Sequence, residues 1–197
     1  LFVRAEQARA ETDVARRNAE QRFTDLRDLS RFVLFDVYAR LENVPRSLTL
    51  RRDLADAGQR YLDQLSQDVE APVGVRLELI EGLRRLAQVQ ASPGASSLAL
   101  APQARRNLDR AQSLAESLEA EGADGRTRAL VLARVLLARA RLSLAVDMNA
   151  SAAEAALERA QALVAPFVAR SVVDVDALGV RADITALRAE ALQWQGR

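Results

Sequence analysis

Carboxylates are the main side chains in this sequence whose type and spacing could do chemistry, because the chain contains no histidine and no cysteine. Glu78 and Glu81 stand three residues apart, and Glu116, Glu119 and Glu121 cluster further along. Two carboxylates that face each other can act as general acid and general base, as in glycoside hydrolysis. The same spacings are typical of a solvated helix face. We favour the solvated face and assign no catalytic residue.

Other kinds of reactive site are excluded or weakly indicated. Without cysteine and histidine there is no thiol nucleophile, no disulfide, no Cys/His zinc site and no Ser-His-Asp triad. Asp174 and Asp176 precede a predicted helix, where charge near the helix start explains them better than calcium binding. Gly122–Gly125 has too few glycines, and no lysine, for a phosphate loop. The sequence therefore predicts no metal site and no cofactor.

The aromatic side chains indicate packing more than ligand binding. Tyr38, Tyr61 and Trp194 carry polar groups, but each can be explained by helix packing. The run Phe32–Phe35 is wider than one apolar stripe requires. It either covers two neighbouring helices or forms a dimer surface, and both interpretations stay open.

The charge balance argues against a nucleic-acid partner. The chain has 28 basic and 27 acidic residues and a net charge of +1, with the two signs interleaved. A nucleic-acid site would need a clustered basic excess. Arg51-Arg52 and Arg105-Arg106 could bind an anion or an acidic peptide, although a solvated surface is the simpler interpretation. The residues of a binding site are unknown at this stage.

Helices must position these side chains, because Ala, Leu, Arg and Glu dominate the sequence and all four favour helices. Apolar residues recur at spacings of three and four, interrupted by Pro and Gly. The pattern predicts seven helices. The first has its apolar face at 23–43 and is joined without a break to the weakly apolar helical segment 1–22. The others run from Ser47 or Thr49 to before Pro72 and over 73–90, 103–121, 126–147, 152–169 and 175–195. The fifth is apolar on more than one side and is predicted to be central.

Helix ends are marked by capping residues. Asp124 is predicted to cap the fifth helix. Ser151, followed by Glu154 three residues later, predicts a capping box at the start of the sixth. Pro166 is predicted to kink that helix or end it early.

Two segments share a small–large–small pattern with spacings of four and three. These segments are Ala104-Leu108-Ala111 and Ala153-Leu157-Ala160. The second helix of a tetratricopeptide pair needs this pattern, because small residues let helices approach and the large one fills the gap. A chance match between two alanine-rich helices is the alternative. The prediction is an all-α fold of antiparallel helix pairs, a tetratricopeptide-like repeat array (α-solenoid).

Five segments carry a recognisable series of helix ends and turns, namely Arg22–Leu29, Leu34–Asp36, Val44–Ser47, Gly58–Leu65 and Leu86–Ala91. With them, the chain from Phe23 to about Val164 resembles the C-terminal tetratricopeptide-like region of bacterial transmembrane serine/threonine kinases. Arg46, Ala87 and Ala91 stand where the family pattern has glycine. The matches concern helix ends and packing, and no kinase signature is present in the chain.

The resemblance implies a sensor or interaction domain that is not itself an enzyme. Residues 1–22 would form a juxtamembrane or linker helix, and 23–197 the helical domain. The domain would bind a peptide, a protein or a small ligand, and this binding would be signalled to a kinase. It would lie outside the cytoplasm, attached through a membrane helix upstream, with a possible homodimer through the N-terminal helix. The alternative is a soluble cytoplasmic scaffold of the same fold.

Overall fold

The computed structural model describes residues 48–66, 72–91, 100–118, 123–169 and 173–194. Within these residues the chain is all-helical and forms no β-strand. The six helices described are α1 (Leu48–Leu65), α2 (Val73–Gln90), α3 (Ala101–Ser117), α4 (Gly125–Ala145), α5 (Ala150–Val168) and α6 (Val175–Trp194). The predicted helix at 23–43, the linker at 1–22 and the domain boundary between them lie outside the described residues.

The predicted helices from the second onward are confirmed, with bounds within a few residues for α2 to α6. Asp124 caps α4 as predicted, because its carboxylate accepts hydrogen bonds from the backbone N–H of Arg126 and of Thr127, at 3.1 and 3.0 Å. These bonds satisfy two amides that a helix start leaves without an internal partner.

The predicted cap of α5 is wrong. Asn149, not Ser151, accepts the hydrogen bond of Ala152 N–H at 3.0 Å, because the turn after α4 closes earlier, with Met148 in the left-handed region at φ 52°. Ser151 is therefore already inside the helix. Glu154 accepts a bond from Arg188 at 2.8 Å.

Pro166 does not end α5 early. The helix continues through Pro166 to Val168. A proline so close to the helix end removes a hydrogen bond from the last turns only, where the loss matters least.

The chain divides into two compact units, Leu1–Leu54 and Ala55–Arg197. Residues 48–54 are the described part of the first unit, and the helix packing that follows is that of the second unit. From α2 to α6 each helix packs on the next, and α4 also packs on α2 and on α6. The central position predicted for the most apolar helix is thus confirmed, and both sides of α4 are buried.

The ion pairs between α3 and α4 join residues that come earlier in one helix to residues that come later in the other. Arg105 near the start of α3 pairs with Asp147 just beyond α4, whereas Asp109 further along α3 pairs with the earlier Arg139. Helices α3 and α4 therefore pack antiparallel, as predicted for neighbouring helices.

A buried amide group joins α1 and α3 in parallel. Asn107 is 4% exposed and donates to Gln59, 48 residues earlier, at 2.9 Å, and to Gln90 at 3.0 Å. Arg110 donates to Asp63, 47 residues earlier, at 2.8 Å. From the first pair to the second, the residue number rises in both helices, so α1 and α3 run in the same direction. They therefore occupy equivalent positions in successive helix pairs. The repeat is thus about 47–48 residues long here, longer than the roughly 34 residues of a tetratricopeptide unit.

The small–large–small residues lie in the core as predicted, and all six are at most 1% exposed. They are Ala104, Leu108 and Ala111 in α3, and Ala153, Leu157 and Ala160 in α5. The alanines permit close helix contact, and the leucines fill the space between helices.

Candidate functional site

A cavity of about 260 Å³ opens between the C-terminal ends of α2, α4 and α6. It lies on the side of the array that these three helices share, because α4 packs on both α2 and α6. The apolar walls come from α2, α3, α4 and α6, and include Ala87, Leu108, Ala138, Leu142, Leu144 and Leu187. Each of these six residues is buried against the protein core.

Three polar side chains join the cavity lining. Gln88 comes from α2, Arg141 from α4 and Glu190 from α6. The side-chain oxygen of Gln88 accepts a hydrogen bond from Arg84 at 2.8 Å, so this group is held in place. Arg141 and Glu190 are both exposed.

Arg141 and Glu190 belong to two stripes of opposite charge. Arg126, Arg134 and Arg141 follow one another along α4 at spacings of eight and seven residues, close to two helical turns. Asp176, Asp183 and Glu190 follow along α6 at spacings of seven. We call these two stripes the α4–α6 ladder.

The N-terminal end of the ladder is closed. Arg126 donates through Nε and Nη2 to the two carboxylate oxygens of Asp174, at 2.6 and 2.7 Å, and through Nη2 to Asp176 at 2.7 Å. These partners lie 48 and 50 residues apart in sequence. Helices α4 and α6 therefore run parallel, with nearly the same repeat length as α1 and α3.

Charge at this closed end shifts the titration of both partners. The hydrogen bonds from Arg126, with a further bond from the backbone N–H of Ala177, lower the pKa of Asp174 to about 2. The same carboxylates raise the pKa of Arg126. Asp174 thus combines helix capping with an ion pair between repeats, which accounts for an acidic residue at this position.

The C-terminal end of the ladder is open. The sequence separation of Arg141 and Glu190 falls between the 48 and 50 residues of the two Arg126 pairs. The arginine between Arg126 and Arg141 on α4, Arg134, lies 3.7 Å from the carboxylate of Asp176. Among the described residues, however, neither Arg141 nor Glu190 takes part in an ion pair, and both line the cavity. We call these two residues the open rung. Their arrangement leaves one cation and one anion at the mouth of an apolar cavity.

Neither Glu78 nor Glu81 is placed as half of a catalytic pair. Glu81 accepts hydrogen bonds from Arg84 and Arg85, each with a shortest distance of 2.6 Å. Burial raises the pKa of Glu81, but these two guanidinium groups outweigh it and hold the pKa below its ordinary value. Glu78 accepts a bond from the Tyr61 hydroxyl at 3.4 Å.

The remaining candidate residues are separated from the cavity or lie outside the description. Glu116 pairs with Arg159 at 2.8 Å, and Arg105 pairs with Asp147. Arg52 and Arg106 are exposed. The positions outside the described residues or side chains are Phe32–Phe35, Tyr38, Arg51, Glu119, Glu121, Gly122 and Trp194.

Neither a grouped metal site nor a membrane-spanning helix is present in the ranges that the structure describes. Over residues 48–66, 72–91, 100–118, 123–169 and 173–194, no three acidic side chains are grouped so that they could hold a metal ion. No helix in the same ranges combines the length and the apolar character needed to cross a bilayer.

Acid titration should reveal the ion pair of Asp174. Asp174→Asn keeps an acceptor for the helix cap but removes the charge, and we expect a lower melting temperature at neutral pH. The folded pKa lies below the ordinary value of 3.8, so the contribution of the charge is present above that value and is lost as the pH falls through about 2. The melting curves of wild type and variant should therefore converge in that window.

Asp183→Asn is the matched control, because Asp183 is exposed on the same helix. Its effect should be small at every pH. A difference between wild type and Asp174→Asn that stayed constant from pH 7 to pH 2 would contradict the assignment.

Sequence reasoning missed Arg126, Arg141 and Glu190. The seven- and eight-residue spacings of these charges indicate one charged face on each of two helices. They do not indicate that these two faces lie next to each other in the fold. Comparisons with known proteins add no identity to this geometry, since no protein-family model, curated protein or solved structure matches the chain.

Proposed function

We propose that this chain is a non-catalytic recognition domain whose ligand binds on the side shared by α2, α4 and α6. The observation that carries the proposal is the cavity at the C-terminal ends of these helices, with its apolar walls and the charges of the open rung. Ligand sites generally combine a mostly apolar concave surface with a few placed polar groups. Helical repeat arrays commonly use an extended inner surface for such binding.

The state of the carboxylates supports binding over catalysis. A general acid needs a pKa raised toward the working pH, whereas the pKa values of Glu81, Glu116 and Asp174 are all lowered by arginine or amide partners. Arginine pairing of this kind stabilises the fold and leaves these groups poorly suited to proton transfer.

The resemblance to the kinase-associated region extends the proposal. Under it, ligand binding would change the activity of a serine/threonine kinase in the same polypeptide, across a membrane. The second candidate is a cytoplasmic scaffold with the same binding surface. A ligand that changes autophosphorylation of the natural polypeptide would support the first, and unchanged autophosphorylation on saturation would support the second.

A thermal-shift screen tests the recognition site. The chain is melted against peptides, amino acids and cell-wall fragments. A ligand that binds only the folded state adds about 2.7 kcal/mol at 100 times its Kd, and each kcal/mol raises the melting temperature by about 2–4 °C in a domain of this size. We expect Ala145→Arg to abolish the shift, because Ala145 is exposed and lines the cavity.

Ala182→Arg is the matched control, since Ala182 is exposed on α6 and is not part of the cavity lining. It should leave the shift unchanged. Equal loss or equal retention in the two variants would place the site elsewhere and contradict the proposal.

A further inference from the structure

We propose that the cavity binds a free α-amino acid with an aliphatic side chain, with the carboxylate on Arg141 and the ammonium on Glu190. This inference rests on the proposed function and names the ligand class for the same site. Three features of the site support this ligand: the charges of the open rung, the size and walls of the cavity, and the direction of the helices around it.

The charges of the open rung fit a zwitterion. Arg126 shows that an arginine on α4 can reach a carboxylate on α6 at this register, with distances of 2.6 and 2.7 Å. The two residues of the open rung have a sequence separation close to that of the Arg126 pairs, and both line the cavity. A ligand with both charges could bind both residues of the open rung. The guanidinium of Arg141 would bind the ligand carboxylate through two hydrogen bonds, and the carboxylate of Glu190 would accept hydrogen bonds from the ligand ammonium.

The size and walls of the cavity fit a small aliphatic molecule. Its volume of about 260 Å³ is below the roughly 300–1,000 Å³ typical of drug-sized ligands. It corresponds to roughly nine waters at 30 Å³ each, which suits a single amino acid. An aliphatic side chain of the ligand would contact the cavity walls, which include Leu108, Ala138, Leu142 and Leu187. Removal of that side chain from water would contribute favourable binding free energy.

The helix direction favours the ammonium group near Glu190. The lining residues Ala87, Gln88 and Ala91 come from the end of α2, and Ala145 ends α4. Glu190 lies in the last turns of α6. The C-terminal end of a helix carries partial negative charge. Three such ends add to the attraction of Glu190 for a cation, whereas Arg141 supplies the only positive side chain in the cavity lining of the described structure.

Calorimetric titration of the full chain with L-leucine tests this ligand class. We expect saturable binding of L-leucine, and about tenfold or greater weakening when either charge is removed from the ligand, as in N-acetyl-L-leucine or L-leucine methyl ester. Arg141→Gln and Glu190→Gln should each weaken L-leucine binding to a similar degree, since a hydrogen bond to a charged group contributes about 1.5–3 kcal/mol, or more than tenfold in affinity.

Arg181→Gln is the matched control, because Arg181 is exposed on α6 and is not in the cavity lining. It should bind L-leucine like the wild type. Circular dichroism would verify that each variant is folded. Absence of L-leucine binding at millimolar concentration, or wild-type affinity in both charge variants, overturns the inference.

A leucine-containing tripeptide separates this inference from the proposed function. Tighter binding of the tripeptide than of L-leucine, abolished by Ala145→Arg, overturns the amino-acid ligand but leaves the recognition site standing. Absence of any ligand sensitive to Ala145→Arg overturns both.

Discussion

Leu157→Ala is expected to lower the free energy of unfolding by about 2–5 kcal/mol. Leu157 is fully buried, with 0% exposure, between the small residues Ala153 and Ala160 of the same helix, which are equally buried. The two alanines are too small to fill the space that the missing leucine side chain would leave, and both are already fully buried. The variant therefore keeps most of its cavity, and chemical denaturation with urea measures the loss.

Leu192→Ala is the control for this prediction, since Leu192 lies on α6 and is 43% exposed. It should cost less than about 1 kcal/mol, because much of its side chain is already in water. The equivalent Leu108→Ala, 1% exposed in α3, should behave like Leu157→Ala. A loss below 1 kcal/mol in both buried variants would mean that these leucines do not hold the helix pairs together.

Gly82→Ala is expected to destabilise the chain although alanine favours helices. A Cβ atom at Gly82 would lie 2.5 Å from Cδ2 of Leu62, and Leu62 is 1% exposed, so its side chain has little room to rotate. Overpacking of a core in this way costs about 1–3 kcal/mol, against a gain of about 1 kcal/mol from helix propensity. The contact between Leu62 of α1 and residue 82 of α2 thus depends on this glycine.

Gly179→Ala isolates the propensity term. No atom lies within 4 Å of a Cβ at Gly179, so this variant should gain about 0.5–1 kcal/mol. The difference between the two Gly→Ala variants is then the steric cost at Gly82. Adding Leu62→Ala to Gly82→Ala should cost less than the sum of the two single changes, because the smaller side chain removes the clash. Strict additivity would refute the contact.

A repeat longer than the tetratricopeptide unit follows from the length of the helices. Helices of 17 to 21 residues, from α2 to α6, need more chain per pair than a unit of about 34 residues provides. The longer helices extend the shared surface of α2, α4 and α6. They also allow the α4–α6 ladder to close at one end and leave a cavity at the other, which is where we place the ligand.

Much of the fold could be predicted from the sequence because helix formation is local. Asp124 marks the start of α4, and the bounds of α2 match the pattern of apolar residues between Pro72 and Ala91. The prediction failed at α5, where Asn149 and Ser151 are nearly equal as capping residues. The turn geometry around Met148 decided between them, and a local pattern does not specify that geometry.

The candidate site was less predictable, because its residues are distant in sequence. Arg141 and Glu190 are ordinary charged residues on amphipathic helices, and nothing near either of them marks a site. Whether these two residues can act together depends on how α4 and α6 are aligned. The hydrogen bond from Arg126 to Asp174, 48 residues later, shows this alignment at the other end of the two helices.

By itself, the sequence determined that the chain is helical, that histidine and cysteine chemistry is absent, and that the small–large–small residues face a core. These properties follow from side-chain type and from spacing within one helix. Only the tertiary structure decided which helices run in parallel, that Arg126 pairs with Asp174 at one end of α4 and α6, and that Arg141 and Glu190 line the same cavity. Those properties depend on how helices about 50 residues apart pack, and packing is set by the whole interface at once.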